Sequence, residues 1–403
     1  MRRGRYYRGC RRVEKIVGKY DFDTPVKRRG TDSMKWNVGA SELPMWVADM
    51  DFQTAPEIRM AFEKRIAHGV FGYSEVPDEW YEAYANWWGK RHGLKMDRDA
   101  LIFCTGVVPA ISSIVRKLTT PNEKVIIQTP VYNIFFNSIV NNGCRPLESP
   151  LKYESGEYSM DFDDLEKKMA DPQASLMILC NPHNPVGKIW DRETLAEVGK
   201  LAHKYGVTVI SDEIHCDITR PSKEYVPFAS VSDDCRAVSI TCIAPTKTFN
   251  IAGLQTAAVY VPDKFLRHKV WRGLNTDEVA EPNSFACLAA ITAFNEGGEW
   301  RDELCEYLFA NVDYAREFIN RDIPGLKAIK SDATYLLWID VSGTGHSGDE
   351  VQAFIRKETG LYVNEGSEYG TAGLNFLRMN LACPRSTVED GLKRLKEGIS
   401  KLK

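Results

Sequence analysis

SLMILCNPHNPVGKIWDRETLAEVGKLAHKYGVTVISDEIH, residues 175–215, holds one full turn of the pattern that sets the fold. It opens on an apolar run, Ser175–Cys180, and closes on another, Val207–Ser211. Neither run alternates polar with apolar residues, so each reads as a strand buried on both faces. Between them, Leu195, Val198, Leu201 and Ala202 fall on one helical face, and Gly206 stands where that helix should stop. Two such strands joined through a helix pair in parallel.

Outward from this unit the same grammar recurs. LIFCT (Leu101–Thr105), KVIIQT (Lys124–Thr129), AVSITC (Ala237–Cys242) and TAAVYV (Thr256–Val261) are further strand candidates. The region from Leu101 to Val261 is therefore α/β, with a mostly parallel sheet covered by helices. In such sheets ligands bind beyond the carboxyl ends of the strands. The C-terminal part differs. A long helical region is expected over about 278–320, then a strand TYLLWIDV (Thr334–Val341). SGDEVQAFIRKETG follows as a helix with Ser347 as N-cap and Gly360 as stop, then the strand NFLRMNLA and a closing amphipathic helix. This mixture predicts a smaller α+β domain, joined in space by the aromatic-rich segment before about Pro56. The expected division is a basic arm over 1–19, an N-terminal segment over 20–55, a large domain over 56–290 and a small one over 291–403.

Composition narrows the function. A chain of 403 residues with 43% hydrophobic and 27% charged residues suits a large soluble domain plus a smaller one. A net charge of -3 argues against a nucleic-acid partner, and no run of eighteen apolar residues suggests a membrane span. The ten cysteines are scattered without CxxC spacing, which points to reduced thiols in a cytoplasmic protein rather than disulfides or zinc. A metal at His215 and Cys216 is not expected, because adjacent residues rarely reach one ion. The arm carries Arg2, Arg3, Arg5, Arg8, Arg11, Arg12, Lys15 and Lys19 against Glu14 alone, and reads as a mobile extension.

Three segments follow strands directly. Ser211-Asp212-Glu213-Ile214-His215 brings an acid pair, which could equally cap the next helix. Asn181-Pro182-His183-Asn184-Pro185-Val186-Gly187 forces a tight non-helical path and leaves the Asn184 amide available. Ala244-Pro245-Thr246-Lys247-Thr248-Phe249-Asn250 places a lysine among small and apolar neighbours. Such a lysine is usually solvated; a desolvated one has a lowered pKa and becomes a nucleophile suited to Schiff-base formation.

In this order and spacing, NPHNPVG, SDEIH and TKTFNIAGL resemble the fold-type I pyridoxal-phosphate (PLP) enzymes of the aminotransferase class I/II superfamily. They are most similar to its C–S lyase branch, of the cystathionine β-lyase and cystalysin kind. The resemblance covers about Tyr20 to the C-terminus. It implies the aspartate-aminotransferase fold, with a seven-stranded type of sheet in the large domain. It also implies that Lys247 carries PLP, Asp212 faces the ring nitrogen, Asn184 bonds the phenolic oxygen and Tyr132 stacks on the ring. Gly106, Val107 and Val108, opening a helix after a strand, would hold the phosphate with Thr246. Tyr73 would reach the phosphate of a neighbouring subunit, making a homodimer with shared sites. Arg378 would grip the carboxylate of a small amino-acid substrate; its alternative is a salt bridge to a nearby acid.

The sequence departs from many aminotransferases at His215, where they carry tyrosine, and at Ala244 and Gln255, where they carry phosphate-binding Ser and Arg. With ADMDF (Ala48–Phe52) and GVVPA, these departures point to α,β-elimination on sulfur amino acids. Transamination shares every cofactor residue and stays open from sequence, as does a less expected regulatory contact with another protein.

Overall fold

The computed structural model describes residues 18–402 of the chain. The basic arm lies outside them except for Gly18 and Lys19, and the Lys19 ammonium stands 2.7 Å from a carboxylate oxygen of Glu299. An irregular segment containing β1 (Leu43–Pro44) leads into helices α1 (Pro56–His68) and α2 (Asp78–His92). Strands β2 (Leu101–Cys104), β3 (Lys124–Ile127) and β4 (Arg145–Glu148) follow, with α3 (Val107–Leu118) and α4 (Ile134–Val140) between them. A short hairpin, β5 (Lys152–Glu154) and β6 (Glu157–Ser159), precedes α5 (Phe162–Met169). Then come β7 (Leu176–Cys180), α6 (Arg192–Tyr205), β8 (Thr208–Asp212), α7 (Asp233–Val238), β9 (Ser239–Ile243), β10 (Ala257–Tyr260) and α8 (Lys264–Thr276).

These build a seven-stranded sheet in the order β2-β10-β9-β8-β7-β3-β4. Its pairs are parallel except those of β10, which runs antiparallel to both neighbours. The expected strands are all present, and every residue of β7 and β9 is buried. Sequence reading did not find β4. RPLE carries two charges and a proline, and an edge strand needs a partner on one side only, so nothing selects an apolar run there.

Helices α9 (Ala286–Glu296) and α10 (Gly298–Asp322) replace the single helical region expected over 278–320. The break falls at Gly297, where an added Cβ would stand 2.4 Å from the Phe249 ring and 2.6 Å from the Ala293 carbonyl. The expected domain boundary at 290/291 thus lies inside α9, a helix that packs on α1 and α2.

The C-terminal part folds as a four-stranded sheet in the order β11 (Lys327–Ala328), β12 (Leu336–Asp340), β15 (Phe376–Asn380), β14 (Asn364–Glu365), with α11 (Gly348–Thr359) and α12 (Arg385–Lys401). Ser347 caps α11 in a reciprocal box with Glu350, and Gly360 closes it at φ 72°. β1 pairs in parallel with β13 (Leu361–Tyr362), which draws the N-terminal segment onto this sheet.

Candidate active site

Sheet register brings the three motif segments together. Cys180 at the end of β7 pairs with Asp212 at the end of β8, and Asp212 pairs with Cys242 on β9. The turns that follow must therefore leave the sheet side by side. They line a cavity of about 260 Å³ together with the start of α3. Of the residues expected at the site, Gly106, Val107, Val108, Tyr132, Asn184, Asp212, His215, Thr246 and Lys247 line it. Ala48, Thr105, Pro109, Cys180, Ile214, Ala252 and Gln255 complete the wall.

Asp212 is buried and its Oδ1 accepts only the Ile214 N–H, at 3.1 Å. Burial pushes its carboxyl up to about 7, against the opposing pull of that N–H and of the Lys247 charge. Lys247 donates from Nζ to the Ala48 carbonyl at 2.5 Å. Burial brings its amine down to about 8, with the Arg378 charge adding and Asp49 and Asp212 opposing. An amine so placed is partly neutral near physiological pH and can act as a nucleophile. His215 is held neutral, down to about 3, by burial and by the charges of Lys247 and Arg378.

Arg378 on β15 stands behind Asn184. Its guanidinium reaches Asn184 Oδ1 at 3.4 Å, the Trp46 carbonyl at 2.9 Å and Asn364 Oδ1 at 2.9 Å, while its Nε has no partner. Every acceptor is neutral, and among the described residues no carboxylate lies within salt-bridge reach. A buried guanidinium bonded only to neutral acceptors, with Glu368 acting on it from beyond Asn364, is a costly arrangement that the anion of a ligand would complete.

Tyr73 stands apart. It is fully exposed (107%) in the segment between α1 and α2 and does not line the cavity of its own chain. Sequence reading missed Asn364, Tyr335 and Asn380. Tyr335 donates to the Ala48 carbonyl at 3.0 Å, and its ring lies 6.1 Å from that of His215. No motif marks these three residues, because their roles come from the crossing of distant segments.

The class I and II aminotransferase model matches residues 42–395. The chain belongs to the aminotransferase class I and II family. Within that family it is 42% identical over 386 residues to cystathionine beta-lyase PatB of Bacillus subtilis, covering 94% of this chain and all of that one. It is 32% identical to protein MalY of Escherichia coli, over 93% of this chain and 98% of the other. The crystal structure of cystalysin from Treponema denticola, which contains a pyridoxal 5'-phosphate cofactor, superposes with a TM-score of 0.92 at 31% identity, covering 95% of this chain and 100% of that one. As an aminotransferase-family fold, the chain has its cavity where the family's sheet topology directs ligands.

Proposed function

We propose that this chain is a PLP-dependent C–S β-lyase that cleaves cystathionine or related cysteine S-conjugates to a thiol, pyruvate and ammonia. The observation that carries the reading is charge: among the described residues, one buried carboxyl on the cavity wall and, behind Asn184, one buried guanidinium each lack a salt-bridge partner. A protonated ring nitrogen answers the first, and the carboxylate of an amino acid answers the second.

The residues present fit the cofactor. The first turn of α3 offers N–H groups that its own helix leaves unused, and Val107 and Val108 face the cavity. An added Cβ at Gly106 would press on Pro109 at 3.1 Å, so glycine keeps that cradle open. Thr246 adds a hydroxyl, Asn184 an amide, Tyr132 a ring face and Asp212 the carboxylate for the ring nitrogen. Lys247 would bond the aldehyde. When bound, PLP supplies an electron sink for a carbanion at the substrate's Cα.

The chain's own residues do the rest. Arg378 orients the substrate through its carboxylate, where a planar fork is favoured over a lysine. The Lys247 amine, once free, takes the Cα proton, and its lowered pKa makes it competent near neutral pH. Loss of the Cβ–S bond then gives the thiol and an enamine that water converts to pyruvate and ammonia. His215, held uncharged, sets no second cation against the ring in the place where many aminotransferases carry tyrosine.

We infer a homodimer as the working form. Met60, Ile66, Val70, Phe71 and Tyr73 are all more than half exposed within fourteen residues of sequence, a patch suited to a second copy. There Tyr73 can serve the neighbouring cavity, whose phosphate end lacks the arginine that Gln255 replaces. A cytoplasmic location is supported by nine described cysteines that are all free and buried. Among the described residues no helix is long and apolar enough to cross a membrane.

The test is pyruvate release from cystathionine by protein loaded with PLP, without any added 2-oxo acid. Equimolar pyruvate and thiol support the lyase. Turnover that depends on a 2-oxo acid and yields no pyruvate assigns the chain to transamination.

A further inference from the structure

Residues 46–49 form a strap, bent over 47–49, whose carbonyls alternate between two sets of partners. The Trp46 carbonyl accepts from Arg378 at 2.9 Å, and the Ala48 carbonyl accepts from Lys247 at 2.5 Å. The carbonyls between and after them, of Val47 and Asp49, both accept from one amide, Asn380 Nδ2, at 2.6 and 2.7 Å. The two pairs interleave along four consecutive residues, so a side chain that holds the Val47 and Asp49 carbonyls also limits how the Trp46 and Ala48 carbonyls can turn.

We propose that Asn380 is a positioning residue: by clamping the Val47 and Asp49 carbonyls it presents the Trp46 and Ala48 carbonyls to Arg378 and Lys247 in one register. The inference rests on the roles given above to those two cations. The strap thereby ties the grip on the substrate carboxylate to the resting place of the free lysine amine.

Other contacts agree. Asn380 follows Arg378 by two residues on β15, hence on the same face of that strand. Its Oδ1 accepts the Ala382 N–H at 2.8 Å, and its own N–H donates to the Met45 carbonyl at 2.8 Å, so the side chain is held at both ends. From the other lobe, Asn250 receives the Met50 N–H at 3.0 Å and donates to the Met50 and Phe52 carbonyls at 3.0 and 2.8 Å. Asn250 is three residues beyond Lys247 and takes a left-handed φ of 54° to do so. Tyr335, on the small-domain side, shares the Ala48 carbonyl with the lysine. The strap is thus pinned next to both chemical groups by side chains that touch neither cavity wall.

A carbonyl acceptor favours the ammonium form of the lysine, so a misaligned strap should lower the pKa of that amine. The charged and titratable groups around Lys247 are Asp212 at the end of β8, His215 after it, Asp49 on the strap and Arg378 on β15, with the Tyr335 hydroxyl on the same carbonyl. All remain in place in the variants used below except Tyr335.

The experiment measures the Lys247 pKa in cofactor-free protein, by NMR of reductively ¹³C-methylated lysines assigned with Lys247→Arg. Asn380→Ala is expected to lower it by about one unit, the worth of one hydrogen bond, and Tyr335→Phe, which removes a competing donor from the Ala48 carbonyl, to raise it. Asn380→Ala should also move the basic limb of the kcat/KM profile in the loaded enzyme and cut kcat/KM at least tenfold. Asn311→Ala is the control. Asn311 is also buried and spans two carbonyls, of Leu381 and Cys383, but away from the lysine. It should lower the Tm without moving the lysine pKa. An unchanged lysine pKa in both Asn380→Ala and Tyr335→Phe overturns the proposal. Because that readout needs neither PLP nor substrate, it is separable from a failure of the lyase reading, which would show as wild-type protein releasing no pyruvate.

Discussion

At Asp212 the folded and unfolded chains hold a proton differently. An unfolded aspartate titrates near about 3.9, whereas burial carries this one up to about 7. Between those values the folded chain binds more protons, so this group costs stability as pH rises through the window from about 4 to 7. We expect Asp212→Asn to raise the Tm of cofactor-free protein at pH 8 by several degrees, to change it little at pH 4, and to abolish lyase activity. Scanning calorimetry at both pH values checks the pair; a lower Tm at pH 8 would contradict it. Arg378→Lys keeps the charge but loses the fork, and kcat/KM for cystathionine should fall roughly hundredfold, most of it in KM. Steady-state kinetics decide, and a change within threefold would remove Arg378 from the substrate carboxylate. Much of this chemistry was legible in the sequence, because Asn184, Asp212 and Lys247 each stand at a strand end or within a few residues of one. The partners of Arg378 were not. Trp46, Asn184 and Asn364 are brought to it from three distant segments, and no local pattern encodes such a crossing.

Among the elements, the turn after β7 shows how a motif is fixed. Gly187 sits at φ 73°, and a Cβ there would stand 2.5 Å from the Ser331 Cβ and 2.8 Å from the Ala333 carbonyl. Asp332 and Ala333 both donate their N–H groups to the Gly187 carbonyl, at 2.8 and 2.9 Å. The glycine thus joins the Asn184 turn to the approach of β12. Gly187→Ala adds both an unfavourable φ and a backbone clash, and should cost about 1–3 kcal/mol. Urea unfolding measures it, and a loss below the error of the fit would contradict the close approach. Strand and helix identities were readable wherever burial imposed a pattern, an unbroken apolar run in β7 and a helical period in α6 and α11. They were not readable where burial is one-sided or the constraint is remote. β4 is an edge strand with a charge at each end and a proline within, and the α9–α10 break answers to the Phe249 ring, a contact 48 residues away in sequence.

Across the whole molecule, the site draws on both larger sheets. The large sheet supplies Asn184, Asp212 and Lys247, the small sheet supplies Arg378, and the strap at 46–49 touches both. A second copy is expected to complete it. Phe71→Glu places a charge in the exposed patch and should shift sedimentation from dimer to monomer while weakening PLP retention; a monomeric wild type would contradict the shared site. All of this depends on a covalent bond at one amine. Borohydride reduction in the presence of PLP, followed by peptide mapping, tests it most directly. The modified residue should be Lys247 alone, and Lys247→Ala should take up no label. Label on any other lysine, with residue 247 unmodified, would contradict the account.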